Sequence, residues 1–254
     1  MAAIRRIRRL DQLFRRQMRK ERAFRKRVDC FRIYSEYEIF ERFRFTQDGI
    51  DFIFDLLEDD LRSPTLRSNA VAPSIKILLA IRFLGSGSFQ LLIGDSHGVS
   101  QPSSSRFIWE VVAKLVDLAP RFICYPTTEE HKRYIMKGFY AIAGFPGVTG
   151  VIDCTHVRIA APYENEDSYV NRKGYHSMNI QCICDHNYKF TSVLAHWPGG
   201  KHDMAILNES HVYAAHTNGQ VTGRLLGDGG YALKQWLIVP IPDPQTPAEI
   251  RFQR

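Results

Sequence analysis

Two aspartates, each preceded by a short apolar run of the kind that forms buried strands, are the side chains best suited to chemistry in this sequence. Asp153 follows Gly-Val-Ile, and Asp228 follows Leu-Leu-Gly and precedes Gly229 and Gly230. Carboxylates that converge form a site for hard divalent cations such as Mg²⁺, and two-metal sites of this kind cleave phosphodiester bonds. Glycines beside such a site let the backbone approach a bulky ligand closely. Aspartates that cap turns are the alternative interpretation.

The elements that must position these aspartates are strands, which the sequence predicts from residue 147 onwards. β-branched runs and turn residues predict four strands, over 148–159, 176–184, 190–196 and 223–228. A helix is predicted from His202, with Asp203 in its first turn, where the helix dipole favours an acid. This succession predicts a mixed α/β layer in which helix covers one face of the sheet.

The pattern of apolar, capping and turn residues before residue 145 predicts helices in a helix–turn–helix-like arrangement. After a helix over 47–62, Ser74 is expected to cap a second helix. A short helix through 89–93 and a longer one over 103–118 follow, each after a glycine-containing turn. The pattern matches a trihelical unit that reads DNA. A bundle that only packs is the alternative, because the last helix offers few cations.

The positive charge of the chain is concentrated at its start. The formal net charge is +7, yet residues 5–27 alone hold twelve Lys and Arg against two acids, so the remainder is slightly acidic. Apolar residues at near-helical spacing predict a basic amphipathic helix or an arm that folds on a partner. Nucleic-acid binding or nuclear import, a solvated tail and an organellar presequence are the three interpretations. The first predicts a nuclear protein, with the cytoplasm as a second compartment.

No apolar run approaches the roughly 18 residues of a transmembrane helix, so no membrane partner is predicted. Several colinear blocks within residues 45–254 resemble Harbinger-type transposases and the nuclease domesticated from them. The blocks carrying the resemblance are 86–90 (SGSFQ), 147–159 (GVTGVIDCTHVRI), 169–181 (YVNRKGYHSMNIQ), 197–207 (WPGGKHDMAIL), 225–231 (LLGDGGY) and 247–252 (PAEIRF).

The resemblance implies an RNase H-like fold with a D-D-E site for Mg²⁺ or Mn²⁺ and a nuclease acting on DNA. By position, Asp153 corresponds to the first catalytic carboxylate and Asp228 to the second. Asp203 resembles a further metal-associated acid, with a helix-capping role as the alternative. Beside these acids, His202 is a candidate for orienting ligands or substrate.

A polar, cationic stretch between two predicted strands is the candidate for substrate binding. Arg172 and Lys173 carry the charges expected to hold DNA phosphates, with a solvated loop as the alternative. His156 is a weaker candidate than His202 for orienting the metal ligands from a second layer of residues. The resemblance also implies a separate Myb-like DNA-binding partner.

The family's third acid, a glutamate on a later helix, has no match in this sequence. Glu249 is the last acid before Arg254, but it matches the segment that leads into that helix. The sequence is therefore predicted to be truncated, with weak or no nuclease activity. A catalytically inactive DNA- or protein-binding module is the alternative. Three regions are expected: a basic arm (1–44), a helical, helix–turn–helix-like region (45–145) and an RNase H-like nuclease domain lacking its last helix (146–254).

Overall fold

The computed structural model describes residues 26–27, 29–63, 65 and 70–252, with the backbone alone for 251 and 252. The described chain divides into two compact units, which meet in sequence at Leu118 and Ala119. We call them the helical unit and the sheet unit. Of the predicted basic arm, residues 1–25 and residue 28 lie outside the described residues. The region boundaries predicted after residues 44 and 145 stay predictions.

The helical unit packs short and medium helices around an apolar core. Its helices are α1 (Cys30–Ile33), α2 (Glu36–Phe43), α3 (Gln47–Leu61), α4 (Pro73–Ser86), α5 (Gln90–His97) and α6 (Gln101–Phe122), the last turn of which belongs to the sheet unit. Ser35 and Glu38 form a capping box at α2, and the Thr46 side chain caps α3. Helix α3 is amphipathic, and it buries Ile50, Leu57 and Leu61.

One capping prediction is wrong. Helix α4 begins at Pro73 rather than after Ser74, and Ala72 is an N-cap without a side-chain hydrogen bond. Proline suits this first position because its fixed φ is helical and its missing N–H needs no partner there. Gly87 and Gly98 end α4 and α5 in left-handed conformations, with φ of 61° and 68°. The predicted helical N-terminal part is thus confirmed, whereas its contact with DNA stays a prediction.

The sheet unit has a five-stranded mixed sheet in the order β3-β2-β1-β4-β5. Strand β1 pairs antiparallel with β2 and parallel with β4, β2 pairs antiparallel with β3, and β4 pairs parallel with β5. The elements are α7 (Glu129–Ala143), β1 (Val148–Arg158), α8 (Glu166–Tyr169), β2 (Ser177–Cys184), β3 (Phe190–Pro198), α9 (Asp203–Asn208), α10 (His211–Thr217), β4 (Arg224–Leu226), β5 (Leu237–Ile238) and α11 (Pro247–Phe252). The predicted RNase H-like α/β architecture is confirmed.

In the first part of strand β2 the polar side chains are buried, and the apolar side chains that alternate with them are partly exposed. Ser177, Asn179 and Gln181 are at most 1% exposed, whereas Met178 and Ile180, which alternate with them, are only half-buried. The buried face belongs to the side of the sheet where the core forms around Ile152, Ile183, Leu207, Val212, Leu225, Tyr231 and Leu237. The polar side chains of β2 therefore lie inside the protein, near the start of α9. Within the described part of the chain, no helix is long and apolar enough to cross a bilayer.

Candidate metal centre

Asp153 lies in the middle of β1 and is exposed. Its neighbours Ile152 and Cys154 face the core, so strand alternation places Asp153 on the opposite face of the sheet. The carboxylate Oδ1 accepts a hydrogen bond of 2.7 Å from the backbone N–H of Cys154. Cys182 of β2 is the residue directly opposite Asp153. The first predicted site residue is thus on a central strand and accessible to solvent.

Asp228 follows the neighbouring parallel strand. Val151 of β1 pairs with Leu226, the last residue of β4, so Asp153 and Asp228 each lie two residues beyond this pair and at a similar level of the sheet. Asp228 is exposed, and its Oδ1 accepts a 2.9 Å hydrogen bond from the Gly230 backbone N–H. The two strands that hold Asp153 and precede Asp228 are thus neighbours in the sheet.

Asp203 comes close to Asp228 at Gly230. A Cβ added to Gly230 would lie 3.0 Å from Asp228 Oδ1 and 3.2 Å from Asp203 Oδ2, whereas a Cβ on Gly229 would meet nothing. The two carboxylates therefore border one small space that only glycine leaves open. Asp203 is the first residue of α9, where its negative charge is favoured by the helix dipole.

Asn179, which sequence reasoning did not single out, holds Asp203. Its side-chain Nδ2 donates to Asp203 Oδ1 and to the backbone carbonyl of Lys201, both at 2.9 Å. The only sequence sign was an amide within the alternating run of β2. Alternation by itself cannot say which face of a strand is buried, so the pattern did not distinguish this amide from a solvent-facing one.

A buried thiol and phenol lie beside the carboxylates. Cys154 Sγ is 3.3 Å from the Tyr231 hydroxyl. Burial raises the pKa of Cys154 to about 12, and the nearby charges of Asp203 and Asp153 add to that shift. Burial also raises the pKa of Tyr231, helped by its contact with Cys154 and by the same two carboxylates. Both groups are therefore neutral at physiological pH, and the negative charge stays on the aspartates.

The carboxylate oxygens are suitable ligands for a hard divalent cation, but the three aspartates do not form one close cluster. Among the described residues, no three His, Cys, Asp or Glu side chains are grouped closely enough to hold a metal ion. Asp203 and Asp228 adjoin each other at Gly230, and Asp153 stands level with Asp228 on the neighbouring strand β1. Oxygen donors of this type are the ligands that Mg²⁺ and Mn²⁺ prefer.

The predicted phosphate-binding residues lie at the tip of a tight turn. Arg172 and Lys173 are exposed, and the buried Asn171 stabilises the turn by accepting a 2.9 Å hydrogen bond from the Lys173 N–H. Asn171 Nδ2 donates to Ser177 Oγ at 2.9 Å, and Gly174 closes the turn with a φ of 76°. The turn is therefore ordered while its two cationic side chains face solvent.

This turn is joined to the segment that leads into Asp203. Gly199 donates its backbone N–H to the Ser177 carbonyl, and Gly200 donates to the Ser168 carbonyl, both at 2.8 Å. A Cβ on Gly199 would lie only 2.2 Å from Ser177 Oγ, so no side chain fits there. The structure thus connects the cationic loop to the stretch that begins α9.

The remaining candidates take other positions. His202 is exposed and precedes α9 as its N-cap residue, without a side-chain capping bond. His156 Nδ1 lies 3.1 Å from Ser177 Oγ, on the network that supports the cationic turn. Glu249 Oε2 accepts hydrogen bonds of 2.8 Å from the backbone N–H groups of Gln245 and Thr246. Glu249 therefore caps α11, and these bonds lower its pKa.

The fold and the positions of the aspartates define an RNase H-like domain of the DDE type. Residues 152–254, which include all three aspartates, match the family model described as DDE superfamily endonuclease. The chain belongs to the Harbinger-type family of DDE transposase-derived proteins, as its relatives show.

The relatives are proteins longer than this chain. The chain is 42% identical over 211 residues to Putative nuclease HARBI1 of Mus musculus, a match covering 83% of this chain and 60% of the relative. It is 41% identical over 209 residues to the Homo sapiens protein of that name, covering 82% and 60%. Protein ALP1-like of Arabidopsis thaliana is 26% identical over 226 residues, covering 80% and 55%. The chain thus spans 60% or less of these relatives' lengths, and no solved structure matches it.

Proposed function

We propose that the chain carries the metal centre of a nuclease that hydrolyses phosphodiester bonds in DNA. The observation that carries this proposal is the convergence of Asp203 and Asp228 at Gly230, with Asp153 level with Asp228 on the adjacent parallel strand. The endonuclease family match and the name of the animal relatives support the same class of activity.

In this proposal Asp153, Asp203 and Asp228 would hold Mg²⁺ or Mn²⁺. The bound ions supply Lewis-acid activation of water and stabilisation of the leaving oxygen. The Gly230 N–H fixes one oxygen of Asp228, and Gly230 itself keeps the space between two carboxylates open. The thiol of Cys154 keeps its proton, so the chemistry uses no protein nucleophile at this position.

Arg172 and Lys173 bind DNA phosphates in this proposal. Their turn is held by the buried Asn171, and it is tied through Ser168 and Gly200 to the chain that enters α9. Charge-assisted contacts from such a turn position the backbone of the substrate without reading its sequence. Binding through them weakens as salt concentration rises. The exposed His202, one residue before Asp203, is the third substrate-binding residue of the proposal.

The basic arm and the partner are further parts of the proposal. Residues 5–27 direct the protein to the nucleus and add sequence-independent affinity for DNA. A Myb-like protein supplies recognition of the target sequence. Deletion of residues 1–27 is expected to move the protein from nucleus to cytoplasm and to reduce the salt dependence of DNA binding. Unchanged localisation together with an unchanged salt slope contradicts this part.

A second candidate function is a binding module that retains the fold without cleaving DNA. The observation in its favour is that the described residues contain no three-ligand group. Such a module retains DNA or protein binding through the helical unit or the cationic turn. A binding module of this kind needs no divalent cation, and it does not need Asp153 to be accessible to solvent.

The two functions separate when Mn²⁺ binding and plasmid nicking are measured on the same protein. We expect Mn²⁺ binding, followed by electron paramagnetic resonance, and slow nicking of supercoiled DNA, both lost in Asp153→Asn and Asp228→Asn. Asp48→Asn, which changes an exposed acid of α3, is the control and should match the wild type. DNA binding without Mn²⁺ binding or nicking supports the binding module. Mn²⁺ binding that both site variants preserve contradicts the proposed metal centre.

A further inference from the structure

Asn179 is a buried amide whose position is explained by the hydrogen bonds that its Nδ2 group donates. The residue is 1% exposed in the middle of β2, where an apolar side chain of similar size would fill the same volume. Burying an amide is unfavourable unless its hydrogen-bonding groups find partners. Only the Nδ2 group does so, through Asp203 Oδ1 and the Lys201 carbonyl, whereas Oδ1 has no partner in the described part of the chain. The donor side of the amide is therefore the useful one.

The hydrogen bond from Asn179 fixes the direction of a carboxylate. Asp203 uses Oδ1 to accept from Asn179, which leaves Oδ2 directed at the space beside Gly230 and Asp228. The second Asn179 bond, to the Lys201 carbonyl, anchors the amide to the chain two residues before Asp203. One side chain thus holds both the carboxylate and the backbone that delivers it.

The neighbouring Gln181 provides an internal comparison. It lies two residues along on the same face of β2 and is equally buried, at 1% exposed. Neither of its amide atoms has a partner among the described residues. Two similar amides in one strand therefore differ in their hydrogen bonds: Asn179 donates to an acid of the candidate metal centre and to the Lys201 carbonyl, whereas Gln181 makes neither bond.

We propose that Asn179 is a positioning residue, which acts through Asp203 to set the affinity of the Asp203–Asp228 pair for a divalent cation. The inference rests on the proposed metal centre. Hydrogen bonds from a second layer of residues orient ligating carboxylates, and their loss typically weakens metal binding by roughly 10–100-fold. Asn179 fills this role, and Asp203 is then a ligand rather than only a first-turn acid.

The test measures Mn²⁺ affinity of the whole chain by electron paramagnetic resonance. Asn179→Leu is expected to weaken Mn²⁺ binding about tenfold or more, the lower end of such effects, while the matched control Gln181→Leu binds like the wild type. In an Asp203→Asn background, Asn179→Leu should cause no further loss. If Asn179→Leu does not fold, as judged by circular dichroism, Asn179→Ser takes its place, because serine is too short to reach Asp203.

The outcomes distinguish this inference from the proposed function. Equal Mn²⁺ affinity of the Asn179 and Gln181 variants overturns the inference, and so does an Asn179 effect that persists undiminished in the Asp203→Asn background. In either case the metal centre stands if binding still depends on Asp153 and Asp228. A wild-type chain that binds no Mn²⁺ overturns the proposed function, and the inference with it.

Discussion

The helical unit and the sheet unit both bury polar side chains, but the buried polar atoms without hydrogen-bond partners lie in the sheet unit alone among the described residues. In the helical unit, Lys76 is 4% exposed and donates to the Leu61 carbonyl at 2.9 Å and to Glu110 Oε1 at 2.8 Å. His97 Nδ1 lies 3.0 Å from the Ile93 carbonyl. These buried polar groups are engaged, and Lys76 connects α4 to α3 and α6.

The unpartnered atoms of the sheet unit include Asn179 Oδ1, both amide atoms of Gln181, Trp197 Nε1 and His216 Nδ1. Such groups are costly, and proteins tolerate them mainly where a site requires them. The first three residues belong to the two strands that lead to Asp203. The difference indicates that the buried polar groups of the helical unit stabilise its packing, whereas one of those in the sheet unit, Asn179, holds a carboxylate.

The largest expected effect is on the carboxylates. Asp153→Ala and Asp228→Ala should each lower Mn²⁺ affinity by more than about 100-fold, because changes in the second layer alone cost roughly 10–100-fold. Glu110→Gln, in the helical unit, should leave that affinity unchanged. Isothermal titration of Mn²⁺ into the three variants measures the contrast. Similar losses in all three would mean that the metal affinity does not reside in the sheet unit.

The next effect is a pH dependence of the sheet unit. Burial lowers the pKa of His216 from 6.5 to about 4, with the nearby charge of Lys132 adding to the shift. Between those pH values the unfolded chain binds a proton that the folded unit does not, so stability falls as the pH falls. The loss is up to about 3 kcal/mol for this shift. Urea unfolding from pH 7 to pH 4 should show this slope.

The controls for this prediction lie in the same helix. His216→Gln removes the titrating group and can still hydrogen-bond the Tyr125 hydroxyl, which lies 2.7 Å from His216 Nε2. This variant should lose the slope, whereas His211→Gln, on an exposed position of α10, should keep it. A slope that survives in His216→Gln shows that another group is responsible.

A third test exchanges buried polar residues for apolar ones in each unit. Lys76→Met should destabilise the helical unit by about 2 kcal/mol, because the Leu61 carbonyl and Glu110 lose their donor. Gln181→Leu should leave the sheet unit unchanged or stabilise it by about 1 kcal/mol, since no bond is lost. Denaturant unfolding followed by circular dichroism gives both values. Equal destabilisation by both changes would remove the contrast between the units.

The smallest expected effect concerns two adjacent glycines. Gly230→Ala places a methyl group 3.0 Å from Asp228 Oδ1 and 3.2 Å from Asp203 Oδ2, which obliges one carboxylate to shift. We expect Mn²⁺ affinity to fall about tenfold, or ~1.4 kcal/mol. Gly229→Ala is the matched control, because its methyl group meets nothing. Equal affinities of the two variants would show that the space beside Gly230 is not used.

Much of the sheet unit could be predicted because local patterns determine it. The β-branched run around Asp153, the turn at 185–187 and the apolar run before Asp228 predicted β1, the β2–β3 hairpin and β4 with small errors at their ends. That β1 and β4 are neighbours in the sheet was not predicted, because pairing between strands 75 residues apart is a tertiary property. The wrong cap at Ser74 reflects a local competition, which Pro73 wins because its fixed φ starts the helix two residues earlier.

The sequence alone therefore determined which residues are candidates for the chemistry and which strands hold Asp153 and precede Asp228, since residue type and spacing are local properties. Tertiary structure alone decided three matters: that the polar face of β2 points inward, that Asn179 binds Asp203, and that Asp203 rather than Asp153 adjoins Asp228 at Gly230. The physical reason is that alternation along a strand defines two faces but does not distinguish them. Only the packing of α9 and α10 on the sheet shows which face is buried.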